Sequence, residues 1–405
     1  MRWFGRYLAE LATNPNASHG DYGPVQERVL NAEGLSAARA VIEAWPGYKP
    51  TPLIALPGLA QATGIERLYY KDEAHRFGLK SFKPLGGAFA VARMLMRELP
   101  GHAKQGDVTI DDLLNGRFSK EISRFTVTAA TDGNHGRSVA WGARMFGCRC
   151  VIFINEAVSK GRELAIASYG AEVRRNPGSY DDAIRKAEST AKEEGWFAIP
   201  DTSEDASNLA ARDVTQGYAV MAAEAIEQLP REDTPTHIFL QAGVGGMAAA
   251  TCAQFWQTFG QDRPKTILVE PVNAGCWLAS LKSGRPVVID GDLDSLMGGL
   301  ACGEVSGVAW QILSTGADAM MTIEDEAAAE GMRLLAEPPH GDAVIVAGES
   351  GVAGLAGFLI AAADDSVREM LQLSANSRVV VFGSEGATDP ETYTDITGHK
   401  PEDLA

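Results

Sequence analysis

The chain has 405 residues, a length that accommodates two or three domains. Hydrophobic residues make up 45% and charged residues 22%, a balance that supports a substantial buried core. With 36 Lys and Arg against 53 Asp and Glu the net charge is −17, and no basic cluster reverses it, which argues against nucleic acid or an anionic membrane surface as a partner.

The N-terminus, MRWFGRYLAELATNPNASHGDYG, lacks an apolar run followed by a small-residue cleavage site, so no secretory leader is expected. No uninterrupted apolar stretch reaches the ~18 residues a membrane span needs, and a cytoplasmic location is expected. Five cysteines are too few for a disulfide scaffold, and CRC at 148–150 lacks the spacing of a zinc site. They read as buried reduced thiols, with the pairing of Cys276 and Cys302 left open. Seven histidines form no HxxxH or HExxH pair, so no metal site is expected.

Along the chain, short apolar β-branched runs alternate with Ala-rich helical segments. Strands are expected at RLYYK (67–71), FTVTAA (125–130), CVIFI (150–154), AEVRR (171–175) and WFAIP (196–200). Further ones are HIFLQA (237–242), TILVE (266–270), AVIVA (343–347) and RVVVFG (378–383). Helical patterns such as GRSVAWGARMFG and YDDAIRKAESTAKEEG lie between them. Near-continuous apolar strands alternating with helices predict parallel sheets covered on both faces. The fold class is therefore α/β, with two doubly wound units. In such sheets ligands bind beyond the carboxyl ends of strands, where the loops 80–87, 131–137, 243–247 and 384–389 carry unusual residues.

The first of these loops, in FGLKSFKPLGGAFA (77–90), sets Lys83 before Pro84 at a helix start, a position that suits proline. Gly86 and Gly87 would let that helix pack closely, whereas Lys80 reads as an ordinary surface charge. The third, IFLQAGVGGMAAA, runs from strand through Gly243, Gly245 and Gly246 into a helix, where backbone N–H groups and the helix dipole favour a phosphate. Read strictly, Gly243, Gly245 and Ala248 with Glu270 also fit a dinucleotide fingerprint, which keeps a nicotinamide-dependent oxidoreductase as an alternative. That alternative leaves Lys83 without a task. A phosphate loop plus a partly desolvated lysine instead suits pyridoxal phosphate, whose aldehyde needs an amine partner. In TDGNHG (131–136), Asn134 offers a hydrogen bond to the cofactor's phenolic oxygen, and Asp132 a proton acceptor.

SFKPLGGA, TDGNHG and AGVGGMA, in that order, resemble the fold-type II pyridoxal-phosphate enzymes, the threonine dehydratases, serine racemases and their relatives. RFGLKSFKPLGGAFAV, TDGNHGRSVAW and SEGATDPETY look more closely like the diaminopropionate ammonia-lyase family, over about residues 25–398. The closer likeness rests mainly on Asp132. The resemblance implies a large cofactor-binding domain (1–88 and 216–405), a small domain carrying TDGNHG (89–215), an active site in the cleft between them, and a homodimer. It assigns Lys83 to the Schiff base and to proton transfer, and Asn134 to the phenolic oxygen. Gly243, Val244, Gly245, Gly246 and Met247 go to the phosphate, and Ser384 to the pyridine nitrogen. Asp132 becomes a second acid/base, on the opposite face from Lys83, and Asp201 a partner for the second amino group of a small amino-acid substrate. Glu349 falls in a motif that usually packs around the pocket and sometimes reaches the substrate. The implied reaction is elimination of ammonia from 2,3-diaminopropionate, D and/or L, to pyruvate. A serine/threonine-type dehydratase or an amino-acid racemase of the same fold is the alternative. One stretch departs from the pattern: where the family carries an aromatic-acidic-glycine-aromatic run, this chain reads EDASNLAARDV (204–214).

Overall fold

The computed structural model describes residues 2–103, 107–131, 133–178 and 180–404. The chain divides into two compact units, one of residues 1–31, 50–81 and 221–405, the other of 32–49 and 82–220. The second unit thus takes in residues 32–49, ahead of the boundary at residue 88 expected from the sequence.

The first unit is built on a seven-stranded sheet in the order β1-β10-β9-β8-β11-β3-β2. These strands are β1 (Leu8–Thr13), β2 (Leu53–Ala55), β3 (Arg67–Asp72), β8 (His237–Gln241), β9 (Lys265–Pro271), β10 (Ala319–Ile323) and β11 (Arg378–Gly383). The five central strands are parallel, and β1 and β2 close the two edges antiparallel. The second unit holds a four-stranded parallel sheet, β6-β5-β4-β7. Its strands are β4 (Thr126–Ala130), β5 (Arg149–Asn155), β6 (Glu172–Asn176) and β7 (Phe197–Ala198). Both sheets agree with the expected α/β class. Burial on both faces explains the unbroken apolar runs: Ile267, Leu268 and Val269 on β9 are each fully buried.

One strand expectation needs revision, and the strands β1, β2 and β10 lie where none was expected. AVIVA (343–347) joins no ladder; Ile345 and Ala347 are buried, but the Ile345 N–H bonds the Leu335 carbonyl at 3.0 Å. The apolar run is a loop segment in which Ile345 and Ala347 are buried and Val344 is exposed. Conversely, β10 (AMMTI) was not anticipated, since its two methionines carry little β signal and only the neighbouring β9 and β1 make it a strand.

Three loops leave the carboxyl ends of adjacent parallel strands β8, β11 and β3 in the first unit: 242–245, 384–389 and 73–81. The last is anchored by a buried charge cluster. Arg76, 1% exposed, bonds Glu73 at 2.9 Å and Glu224 at 2.7 Å, and Lys71 meets Glu224 at 2.8 Å. Ser81 then bridges to Glu385, two residues before Lys83.

Candidate active site

In the second unit, Lys83 stands just before the helix Pro84–Ala103, and its amine meets Asp201 Oδ2 at 2.5 Å. The two side chains are 19% and 18% exposed, shielded enough for the pair to interact strongly. Asp201 Oδ1 also accepts the Tyr218 hydroxyl at 3.1 Å and lies 3.4 Å from His135 Nδ1. The Lys83 amine is 5.2 Å from the centroid of the Phe82 ring and 5.8 Å from that of Tyr218, so it is neither solvated nor buried among hydrocarbon alone. Burial pushes the Asp201 carboxyl up, but the charges of Lys83 and His135 and the bonds from Lys83 and Tyr218 outweigh it, and its pKa falls to about 2. Asp201 is therefore an ionised acceptor at neutral pH. Burial also lowers the His135 pKa, with Asp201 opposing and Lys83 adding to that shift. Its Nε2 reaches the Ile199 carbonyl at 2.7 Å, which places a proton on that nitrogen.

Close helix packing holds this group. A Cβ on Gly86 would stand 2.4 Å from the Tyr218 ring, and one on Gly217 only 1.9 Å from the Leu85 carbonyl oxygen. The helices Pro84–Ala103 and Leu209–Gln228 thus touch backbone to backbone beside Lys83. On the other side, Ser138 donates to the Lys83 carbonyl at 2.7 Å and accepts from the Ala88 N–H at 3.2 Å. The glycines next to Lys83 permit these approaches, as their positions in the sequence suggest.

Asn134 opens the helix Asn134–Phe146 at the carboxyl end of β4 and is half-buried. Thr131 shapes the turn, accepting from the N–H groups of Gly133 (3.0 Å) and Gly136 (3.1 Å). Asp132 lies outside the described residues. The atypical stretch 204–214 supplies the start of the helix Leu209–Gln228. Asn208 caps it by accepting from the Ala211 N–H at 3.1 Å, and Asp213 pairs with Arg97 at 2.5 Å.

In the first unit, the loop after β8 turns through Gly243 (φ +53) and Gly245 (φ +101) into the helix Gly246–Phe259, which has no side-chain cap. An uncapped helix start leaves the N–H groups of Gly246 and Met247 to an anion. A Cβ on Gly245 would collide with Trp277 at 2.2 Å, so only glycine fits. Ser384, 4% exposed, follows β11; its hydroxyl accepts from Gln241 Nε2 at 2.7 Å, which leaves its proton for another acceptor. Backbone N–H donors for a phosphate and a neutral hydroxyl donor, at the ends of adjacent strands, fit pyridoxal phosphate. Lys80 is exposed; its amine donates to the Ala387 carbonyl at 3.3 Å and its own carbonyl accepts from the Gly386 N–H at 3.0 Å.

Glu270 rules out the dinucleotide alternative. It is fully buried and accepts from the N–H groups of Trp277 (3.1 Å) and Leu278 (2.8 Å), so it cannot reach a ribose. Burial raises its carboxyl to about 8, against the lowering effect of those bonds. The five cysteines are all free thiols, four buried and Cys302 half-buried. Glu349 is buried, at 3% exposure. Among the described residues no His, Cys, Asp and Glu side chains group as metal ligands, and no helix is long and apolar enough to cross a membrane.

Lys83 and Asp201 are thus brought into contact in one unit, and the 243–247 loop and Ser384 are set on neighbouring strands in the other. Tyr218, Gln241 and Ser138 were not foreseen, because a buried hydroxyl or amide in a helix or strand has no periodic signature. His135, inside TDGNHG, also faces Asp201.

Residues 44–385 match the family model described as pyridoxal-phosphate dependent enzyme. The chain is 38% identical over 355 residues to diaminopropionate ammonia-lyase of Escherichia coli strain K12, covering 86% of this chain and 87% of that protein. The Salmonella typhimurium diaminopropionate ammonia-lyase is 36% identical over 360 residues, covering 87% and 88%. A crystal structure of the Escherichia coli enzyme in complex with an aminoacrylate-PLP azomethine reaction intermediate superimposes with a TM-score of 0.85 at 34% identity, over 96% of this chain and 98% of that one. Threonine deaminase isoform 2 of Solanum lycopersicum shares the fold, with a TM-score of 0.70 at 21% identity over 96% of this chain and 97% of that one. The chain belongs to the pyridoxal-phosphate dependent enzyme family, of the fold-type II kind, with diaminopropionate ammonia-lyases among its relatives.

Proposed function

We propose that the protein is an ammonia-lyase converting 2,3-diaminopropionate and water to pyruvate and two ammonia molecules. The observation that carries this reading is the Lys83–Asp201 contact at 2.5 Å: water elimination needs no second carboxylate beside the lysine, whereas a substrate with two amino groups does. We assign Lys83 to covalent attachment of the cofactor, Asn134 to its phenolic oxygen, residues 243–247 to its phosphate and Ser384 to its pyridine nitrogen. Bound pyridoxal phosphate supplies an electron sink that makes the substrate Cα–H acidic.

The remaining work falls to the protein's side chains. Lys83 removes the Cα proton of the L isomer, and Asp132 that of the D isomer. Asp201, kept ionised by its surroundings, receives the substrate's second ammonium once the Lys83 amine is released from it. An amine departs only when protonated, and protonated Lys83 or Asp132 delivers that proton. Ser384 donates a neutral hydrogen bond and leaves the ring nitrogen unprotonated, which favours elimination. A cytoplasmic homodimer completes the reading.

The test is a substrate panel on purified protein. Pyruvate and ammonia should form from L- or D-diaminopropionate at rates at least tenfold above those from serine and threonine. Inactivity on both diaminopropionate isomers would refute the assignment, and faster turnover of serine or threonine would transfer the protein to the dehydratases.

A further inference from the structure

The carbonyls of the glycine loop are held from behind. Trp277 Nε1 donates to the Gly243 carbonyl at 2.9 Å, and the Ser306 N–H to the Val244 carbonyl at 2.9 Å. In a trans peptide the N–H points opposite to the preceding carbonyl, so pinning the Gly243 oxygen sets the direction of the Val244 N–H. The Gly245 N–H, by contrast, closes the turn onto the Ala242 carbonyl at 2.8 Å. Val244 is therefore the loop donor whose direction depends on the indole.

Trp277 is itself held. It lies in the first turn of the helix Cys276–Ser283, which has no side-chain cap of its own. Glu270 performs that role from the end of β9, one carboxylate oxygen on the Trp277 N–H and the other on the Leu278 N–H. The indole is fully buried, abuts Gly245 and stacks on Trp310, with ring centroids 6.0 Å apart.

We propose that Glu270 and Trp277 are positioning residues for the phosphate cradle: Glu270 seats the first turn of the helix Cys276–Ser283, and the Trp277 indole thereby fixes the Gly243–Val244 peptide that presents a donor to the cofactor phosphate. This rests on reading residues 243–247 as that cradle. It gives a task to the acid that the dinucleotide alternative had claimed.

The experiment uses the full-length protein, stripped of cofactor and titrated with pyridoxal phosphate, with bound phosphate followed by phosphorus NMR. Trp277→Phe removes the indole N–H together with one ring of the bicycle, a packing loss that Trp310→Phe shares. Its cofactor Kd should rise about fivefold, the value of one hydrogen bond, with a displaced phosphorus resonance and kcat at saturating cofactor within about twofold of wild type. Glu270→Gln should move Kd and resonance in the same direction. Trp310→Phe disturbs the same aromatic packing without touching the loop's hydrogen bonds, and should leave both unchanged. Wild-type Kd and resonance in Trp277→Phe would overturn the inference, as would an equal loss in Trp310→Phe. A wild-type protein that takes up no pyridoxal phosphate would instead refute the cradle reading itself, and the inference with it.

Discussion

Gly217→Ala sets two physical effects of opposite sign against each other beside Lys83. Gly217 lies inside the helix Leu209–Gln228, where alanine is intrinsically favoured over glycine by about 1 kcal/mol. The added Cβ, however, would stand 1.9 Å from the Leu85 carbonyl oxygen, 2.8 Å from its carbon and 3.2 Å from the Gly86 Cα. All three are backbone atoms, so no rotamer change relieves them. The two helices must part by more than 1 Å or so to restore ordinary contact, and overpacking of that kind costs about 1–3 kcal/mol or more. Tyr218, the next residue, faces Gly86 and donates to Asp201, so parting the helices also loosens the Lys83–Asp201 contact. The net expectation is a loss of up to about 2 kcal/mol once the propensity gain is deducted. Urea unfolding of the cofactor-free protein measures that loss, and the absorbance of Lys83-bound cofactor reports the second effect. A variant with an equal or higher unfolding midpoint and an unchanged absorption band would show that propensity wins and that the close approach is slack.

Three further outcomes are expected. Lys83→Ala should lose the absorption band of covalently held cofactor, and its activity should fall by at least about 10³-fold, while the glycine loop still binds the cofactor weakly; persistence of a borohydride-reducible adduct would assign attachment to another lysine. Asp201 has a depressed carboxyl, from 3.8 to about 2, so its stabilisation is present above the ordinary value and disappears as pH falls through about 2. The difference is of order 2 kcal/mol, and the stability gap between wild type and Asp201→Asn, from urea midpoints, should close between about pH 4 and pH 2; a gap independent of pH would contradict the pairing. Asp132→Asn should lose activity on D-diaminopropionate more than on the L isomer, and equal loss on both would remove its stereochemical role.

Much of the molecule was legible in the chain itself. Strands buried on both faces write themselves as apolar runs, as Ile267–Val269 do, and a helix start beyond such a run announces itself by glycines, as at Gly243–Gly246. Lys83 and Asp201 were legible by their motifs, although 118 positions separate them. Unreadable were features whose cause lies in a partner distant along the chain. AVIVA reads as a strand but finds no neighbour to pair with, and AMMTI reads as nothing until β9 and β1 flank it. The stretch 204–214 looks anomalous as a motif and proves to be a helix cap and an ion-pair anchor. Glu270 shows the division best. Its position at a strand end suggested a ribose acid, and only the fold, by burying it against two backbone N–H groups, turned it inward to hold a helix. Local sequence determined most of the elements and marked the candidate side chains, because propensity and periodicity act over a few residues. Tertiary structure alone decided what each buried polar group faces, because a hydrogen-bond partner is chosen by position in space.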